Sequence, residues 1–272
     1  MFLYDYHVHS DISLDSEASM YEMVEATAKM GMQQMCFTNH CDLVDWSDMK
    51  KIKSRPTAPE DTLLKYRQMT REHGAPPIDV RLGLELGEAL FDVDMALSMA
   101  GTPGLDFIMG SLHIMQGLGD FCILQYTSEK QCYELYDQYM DELIEIAKLD
   151  FFDTMAHVGY CHRYMSRYGF DIKLTLDKYG DKIETLFSII IANGKGIEIN
   201  CSGLRDGLEA FPNEPLLKLY RKMGGEILTI GSDAHAPQDA AKCVKEGFAL
   251  AQECGFKYVT TFKDRKASFE KI

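Results

Sequence analysis

Two histidines one residue apart lie near the start of the chain, His7 and His9, at the end of an apolar run. On a β-strand alternate side chains share a face, so both imidazoles project to the same side and can bind one metal ion. A second alternating pair, Asp233 and His235, follows an apolar run near the other end of the chain. The two pairs together predict a metal site built by strands that are distant in sequence.

Most of the other predicted strands also end in, or soon reach, a residue that can ligate a metal. These residues are Asp15, His40, Glu85, His113 and His157. Each of them alone has an ordinary structural explanation, such as a helix cap for Asp15 or a buried ion pair for Glu85. With the two terminal pairs, however, they use six of the eight histidines of the chain. Their shared position favours one common site.

Apolar runs of strand length alternate with amphipathic helical stretches along the whole chain, as in parallel α/β proteins. The predicted strands are 2–7, 34–39, 80–85, 107–111, 152–157, 196–200, 226–231 and 257–261. The predicted helices are 20–30, 59–72, 92–100, 128–149, 176–193, 214–223 and 237–254. Seven or eight such units predict a closed barrel, whose carboxyl strand ends converge on one pocket.

The chain has 272 residues, a size that α/β barrels reach as single domains. No linker, repeat or low-complexity tract divides it, so we expect one domain over residues 1–272. The segment 41–59 is predicted to be an ordered excursion over one face of the barrel. The formal net charge of −14 disfavours binding of nucleic acid or anionic membrane through a general basic field.

Eight cysteines are scattered without any Cys-x-x-Cys pair, which predicts buried, reduced thiols in a reducing compartment. The first residues lack the basic and long apolar segments of a signal peptide, and no apolar run has the length of a membrane span. We therefore expect a cytoplasmic protein, and the sequence leaves its oligomeric state open.

The candidate ligands are imidazoles and carboxylates without thiolate, a set that suits zinc, manganese or iron. Nine ligands exceed the needs of one ion, so two or three divalent metals are predicted, with Glu85 as a bridging carboxylate. Such a cluster lowers the pKa of a bridging water and neutralises a phosphoryl or carbonyl group under attack.

Taken together, these residues resemble the PHP family, named for polymerase and histidinol phosphatase. The matching motifs are His7-Val8-His9-Ser10 with Asp15, Thr38-Asn39-His40, Glu85 after glycine, Gly110-Ser111-Leu112-His113, Ala156-His157 and Gly231-Ser232-Asp233-Ala234-His235. The resemblance implies a distorted (β/α)7 barrel of the TIM-like PHP type with three metal positions. By analogy these would be formed by His7, His9, Glu85 and Asp233, by Glu85, His113 and His157, and by Asp15, His40 and His235.

Within the family, segments 106–113, 198–205 and 231–237 are similar to those of the monofunctional histidinol-phosphate phosphatases. Asn39 and Gly159 depart from the pattern, since many members carry an acidic residue at each position. The resemblance implies hydrolysis of L-histidinol phosphate by a metal-bridging hydroxide. Arg163 or Arg205 would then bind phosphate, and Glu198 and Asn200 the amino end of the substrate. We expect Asp233, Glu85 and His235 to be the catalytic residues, with Asp233 or a metal-bound water as the leaving-group acid.

Two other interpretations remain open. The same metals could serve a phosphoesterase acting on nucleotides, oligonucleotides or phosphotyrosine, although the acidic net charge disfavours the nucleic-acid version. A non-catalytic metal-binding module would keep the barrel, but the complete ligand set argues against it. Amidohydrolase barrels also begin with His-x-His, but they commonly use a strand-four lysine that residues 110–113 do not offer.

Overall fold

The computed structural model describes residues 2–54 and 56–272. Its strands are β1 (Tyr4–Val8), β2 (Gln34–His40), β3 (Val44–Asp45), β4 (Asp48–Ile52), β5 (Asp79–Gly87), β6 (Phe107–Ser111), β7 (Thr154–Met155), β8 (Gly196–Asn200), β9 (Leu228–Gly231), β10 (Tyr258–Lys263) and β11 (Lys266–Lys271). Its helices are α1 (Met20–Lys29), α2 (Ala58–His73), α3 (Val93–Ala100), α4 (Glu129–Ala147), α5 (Cys161–Arg167), α6 (Leu176–Ala192), α7 (Ser202–Arg205), α8 (Glu214–Lys222) and α9 (Val244–Glu253).

Seven parallel strands form the central sheet in the order β1-β2-β5-β6-β7-β8-β9. The first and last strands come together where they end. The His9 amide donates to the Ala234 carbonyl at 2.9 Å, and the Asp233 amide donates to the His7 carbonyl at 2.9 Å. These bonds nearly close the sheet, which confirms the predicted α/β barrel and gathers the carboxyl ends of all seven strands at one rim.

The helices pack onto this barrel through apolar faces, as α4 illustrates. Its buried residues recur three or four positions apart, the spacing of one helical face. They include Leu135, Tyr139, Leu143 and Ile146. Within the described residues, none of the helices is long and apolar enough to cross a membrane.

The structure departs from the predicted elements in three places. The predicted strand 257–261 lies outside the barrel, because β10 pairs antiparallel with β11. The predicted strand 152–157 is reduced to Thr154–Met155, and His157 leaves the extended conformation with a φ of 26°. The predicted helix 237–254 begins only at Val244, after a 3₁₀ turn over Pro237–Asp239 and left-handed backbone at Ala241 and Cys243.

Three short elements were not predicted, because they are too short to show a hydrophobic periodicity. They are the helices α5 and α7 and the hairpin of β3 and β4. The hairpin lies within segment 41–59, which was expected to be an ordered excursion. As described below, α5 and this hairpin both contribute side chains to the site.

Candidate metal centre

The nine predicted ligands meet at the carboxyl rim of the barrel. His7 lies on β1 and His9 just beyond it, His40 and Glu85 lie on β2 and β5, and the others follow strand ends. Six side chains are at most 8% exposed, namely His7, His9, Glu85, His113, His157 and Asp233. The structure therefore brings together residues that lie as far as 228 positions apart.

Glu85 lies at the centre of this group. Its Oε2 atom is 3.2 Å from His7 Nε2 and 3.1 Å from His40 Nδ1. Its Oε1 atom is 2.8 Å from His157 Nε2 and 3.1 Å from His113 Nε2. Oε2 is also 3.4 Å from His9 Nε2, so one carboxylate contacts five imidazoles, three through Oε2 and two through Oε1. This is the arrangement of a bridging ligand.

Two further carboxylates flank Glu85. Asp233 Oδ1 lies 3.5 Å from both His7 Nε2 and His9 Nε2. On the outer side, Asp15 Oδ2 lies 3.2 Å from His235 Nε2 and 3.7 Å from His40 Nε2. Members of each group implied by the resemblance lie close together, but the groups overlap, because His9 clusters with His40 and His235 as well as with His7 and Glu85.

The imidazoles face one another through their Nε2 atoms in three pairs. These atoms are 3.1 Å apart in His7 and His9, 3.3 Å apart in His113 and His157, and 3.5 Å apart in His40 and His235. One shared proton can join two neutral nitrogens at such distances, but a cation between them would bind the lone pairs of both and also face the neighbouring carboxylates. A divalent cation satisfies these lone pairs and charges, and the residues therefore fit divalent metal ions.

Electrostatics divides the histidines into two kinds. Burial, with His235 and His40 nearby, lowers the pKa of His9 to about 3. Against the effect of burial, Glu198, Glu85 and Asp233 raise the pKa of His7 well above its usual value. Against the effect of burial, His7, His113 and His40 hold the pKa of Glu85 well below its usual range. Glu85 is therefore ionised and available as a ligand near neutral pH.

A cavity of about 310 Å³ opens onto this centre. Five of its lining residues were not among the predicted site residues, namely Trp46, Asp120, Cys122, Tyr160 and Tyr164. They lie on loops, on the β3–β4 hairpin and on α5, where hydrophobic periodicity gives no signal. Only the expected excursion of segment 41–59 over a barrel face pointed towards one of them, Trp46.

The four predicted substrate-binding residues have different positions. Arg163 lines the cavity, and its Nη1 atom is 4.0 Å from Asp233 Oδ2. Arg205 is not among the lining residues and donates to the Ser232 carbonyl at 3.0 Å. Glu198 and Asn200 are fully buried behind the metal ligands, and neither lines the cavity.

Two buried carboxylates outside the predicted set lie behind His40 and His113. Asp42 Oδ1 is 3.8 Å from His40 Nδ1 and 3.7 Å from His113 Nδ1, and its Oδ2 atom accepts the indole N–H of Trp46 at 2.7 Å. Glu88 accepts the His113 amide at 2.9 Å. Burial and the nearby Asp42 raise the pKa of Glu88 to about 8.

Comparison with known proteins agrees with the geometry. The model of the PHP domain family matches residues 5–202. A probable histidinol-phosphatase from Clostridium acetobutylicum is 26% identical over 259 residues, which cover 94% of this chain and 96% of that protein. A histidinol-phosphatase from Lactococcus lactis subsp. lactis is 25% identical, covering 96% of this chain and 95% of that one.

Solved structures share the fold. A histidinol phosphate phosphatase from Lactococcus lactis subsp. lactis, in complex with zinc, L-histidinol and phosphate, superposes with a TM-score of 0.79 at 21% identity and covers 98% of each chain. A putative histidinol phosphatase from Listeria monocytogenes superposes with a TM-score of 0.69 at 17% identity, covering 89% of this chain and 99% of that one. These likenesses extend the barrel assignment to nearly the whole chain.

Proposed function

The chain belongs to the PHP family, and on that premise we propose that it hydrolyses a small phosphate monoester, L-histidinol phosphate, to L-histidinol and phosphate. The observation that carries the proposal is the contact of Glu85 with five imidazoles beside a cavity that is also lined by Arg163. The relatives named histidinol-phosphatase match the chain from end to end and support this substrate.

The site holds divalent metal ions, and we propose two or three of them, with zinc, manganese or iron as the candidates. The three groups would be His7, His9, Glu85 and Asp233; Glu85, His113 and His157; and Asp15, His40 and His235. Bound ions of this kind lower the pKa of water and neutralise phosphoryl oxygens. Glu85 would join the first two groups, because its Oε2 atom contacts His7 of the first and its Oε1 atom contacts His113 and His157 of the second.

Arg163 would bind the phosphate oxygens that the metals leave free. Its side chain is largely buried, and its Nη2 nitrogen lacks a hydrogen-bond partner among the residues described. A guanidinium presents paired N–H groups that match phosphate oxygens. Arg205, which donates to the Ser232 carbonyl, would instead support the loop that carries Asp233.

Asp233 would act as the general base and then as the general acid of the reaction. Against the effect of burial, His7, His9 and His235 hold the pKa of its carboxyl well below its usual range, so it is ionised at neutral pH. Its Oδ2 atom lies on the side of Arg163. In our proposal Oδ2 accepts a proton from the attacking water and returns it to the alkoxide oxygen that leaves phosphorus.

The position of Asp120 favours a substrate whose leaving group carries a positive charge. This carboxylate lines the cavity, and within residues 2–54 and 56–272 no lysine, arginine or histidine forms an ion pair with it. L-Histidinol carries an ammonium group that such a carboxylate attracts, whereas a nucleotide or oligonucleotide would bring further negative charge. The cavity therefore favours an amino-alcohol phosphate over a nucleic acid.

We further propose that residues 1–272 act as one domain in the cytoplasm. All eight cysteines are unpaired, as expected in a reducing compartment.

The proposal is tested by steady-state kinetics on a panel of phosphate esters with protein loaded separately with zinc, manganese and iron. The panel contains L-histidinol phosphate, a nucleoside monophosphate, a short oligonucleotide and a phosphotyrosine peptide. We expect the highest kcat/KM for L-histidinol phosphate. A metal-loaded protein that turns over a nucleotide or the phosphopeptide but not L-histidinol phosphate would contradict the proposal.

A further inference from the structure

Glu198 lies directly behind His7, at the middle of β8. Its side chain is completely buried. Its Oε1 atom is 2.7 Å from His7 Nδ1, and its Oε2 atom accepts the backbone N–H of His157 at 3.0 Å. Both oxygens are therefore engaged, which leaves neither of them to contact a substrate in the cavity.

We propose that Glu198 is a positioning residue that holds ligands of two different metal positions at once. The inference rests on the metal centre of the proposed function but not on its substrate. A carboxylate that accepts the outer N–H of a ligating histidine fixes the tautomer and the orientation of the ring. Here the proton is held on His7 Nδ1, so the lone pair of Nε2 is directed at Glu85 and Asp233.

The second contact acts on backbone rather than on a ring. His157 has a φ of 26°, a positive value that residues other than glycine rarely adopt. The hydrogen bond from its amide to Glu198 holds this conformation, and from it His157 Nε2 reaches Glu85 Oε1 at 2.8 Å. Glu198 thus links His7 of the first metal position to His157 of the second.

The surrounding chain leaves room for this carboxylate and holds it in place. A Cβ atom at Gly231 would lie 2.7 Å from Glu198 Oε1 and 2.2 Å from the Cβ atom of His7, so only glycine allows β9 to approach this closely. Asn200 donates a hydrogen bond from Nδ2 to Glu198 Oε2 at 3.2 Å. Each neighbour therefore keeps the carboxylate oxygens on His7 and His157.

The substitution Glu198→Gln tests the role because it keeps size and removes one acceptor. The glutamine amide has one oxygen and one NH₂ group. Either the Nδ1–H of His7 or the backbone N–H of His157 must then face the NH₂ group, which is itself a donor. If the oxygen stays on the His157 amide, His7 must move its proton to Nε2, where it blocks metal binding. We expect a folded protein whose metal affinity falls about 10- to 100-fold. The loss should affect the metal positions that use His7 or His157 and not the remaining one.

The measurement is metal content at buffered free zinc, in competition with a chelator and without substrate. Glu142→Gln is the matched control, because Glu142 is a buried carboxylate that accepts the Gln116 amide outside the metal centre. The control should keep wild-type affinity. Wild-type zinc affinity and stoichiometry in Glu198→Gln would overturn the inference.

A second measurement uses the wild-type protein and does not depend on whether the variant folds. Imidazole ¹⁵N–¹H correlation spectra of the zinc-loaded protein report which His7 nitrogen carries the proton. We expect a proton on Nδ1, and a proton on Nε2 would overturn the inference. Because neither measurement uses turnover, a failure of the proposed substrate would leave both results interpretable.

Discussion

Arg163 and Asp233 face each other at the wall of the cavity, with Arg163 Nη1 4.0 Å from Asp233 Oδ2. The arginine comes from α5 and the aspartate from the loop after β9. Arg163 is also paired through Nε with Asp206 Oδ2 at 3.1 Å, and its guanidinium lies over the Phe211 ring at 5.9 Å. These contacts fix a positive charge beside the carboxylate that we propose to carry the proton.

The substitution Arg163→Met should therefore weaken phosphate binding in the transition state. We expect kcat/KM for L-histidinol phosphate to fall about 100-fold, or about 2.7 kcal/mol, as for loss of a hydrogen-bonded charge. Metal content should not change, because Arg163 faces Asp233 Oδ2, whereas Asp233 Oδ1 is the oxygen beside His7 and His9. The exposed Arg71→Met on α2 is the matched control, and equal kcat/KM values for the two variants would contradict the role of Arg163.

Replacement of the bridging carboxylate should remove metal rather than alter substrate affinity. In Glu85→Gln the NH₂ group must face imidazole nitrogens that contact the present carboxylate, because each oxygen contacts at least two. We expect a folded protein with reduced metal content and no detectable turnover. Elemental analysis after gel filtration, with circular dichroism for the fold, makes the test. Full metal content and activity would contradict the assignment.

Metal binding should release protons and strengthen as the pH rises. Against the effect of burial, Glu85, Asp42 and Asp15 raise the pKa of His40 to about 9 in the metal-free protein. His40 is then protonated at neutral pH, whereas a ligand must be neutral. Each bound ion that uses His40 displaces its proton, so the apparent affinity should increase with pH up to about 9. Calorimetric zinc titrations in two buffers of different ionisation enthalpy measure this release, and its absence at neutral pH would contradict the prediction.

Arg265 anchors the C-terminal hairpin to the barrel and should govern stability rather than activity. Its guanidinium contacts Asp153 Oδ2 at 2.6 Å and donates to the carbonyls of Ala100 at 3.1 Å and Phe151 at 2.9 Å. Arg265→Met leaves the buried Asp153 unpaired, which we expect to cost about 3 kcal/mol of the free energy of unfolding. Urea titrations of the metal-free proteins measure this cost.

The loss in Arg265→Met should shrink at low pH, and the sign follows from Asp153. Burial raises the pKa of Asp153, and Arg265 opposes this rise. When the pKa of an aspartate is higher in the folded than in the unfolded protein, the folded state loses stability as the pH rises. The loss develops between the unfolded pKa and the folded pKa. Removal of Arg265 raises the folded pKa further, so acidification protonates Asp153 and should narrow the gap to the wild type. A gap that is constant or wider at low pH would contradict this explanation.

The barrel and the meeting of its strand ends were predictable from sequence because both follow from repeated patterns. Seven apolar runs separated by amphipathic stretches predicted the parallel sheet, and the structure confirms it. The departure at the C-terminus has a local cause. Asp264 and Arg265 both adopt positive φ, 49° and 61°, which turns the chain back so that β10 pairs with β11. No glycine marks this turn, so the sequence lacked its usual signal.

The candidate site was predictable only where strands supply it. His7, Glu85 and Asp233 lie on strands or directly after them, so their convergence followed from the barrel alone. Asp120 and Trp46 reach the cavity from a loop and a short hairpin, whose paths depend on contacts such as that of Trp46 with Asp42. The sequence named both Arg163 and Glu198 as substrate-binding candidates, and only the packed structure shows that Arg163 lines the cavity while Glu198 is buried behind the ligands.

Asp120 should determine which leaving group the enzyme prefers. It is 5% exposed, lines the cavity and is held by the Cys122 amide, which donates to its Oδ1 atom at 2.7 Å. In Asp120→Asn the shape and this contact can persist while the negative charge is lost. We expect KM for L-histidinol phosphate to rise about tenfold, equivalent to about 1.4 kcal/mol, because the ammonium group loses its counter-charge.

Phenyl phosphate has no ammonium group, and its KM and kcat should stay unchanged. Gln125→Ala, in the same loop but exposed and outside the cavity lining, serves as the uncharged control and should change the kinetics of neither substrate. An equal loss on both substrates in Asp120→Asn would mean that Asp120 supports the site as a whole rather than recognising the cation.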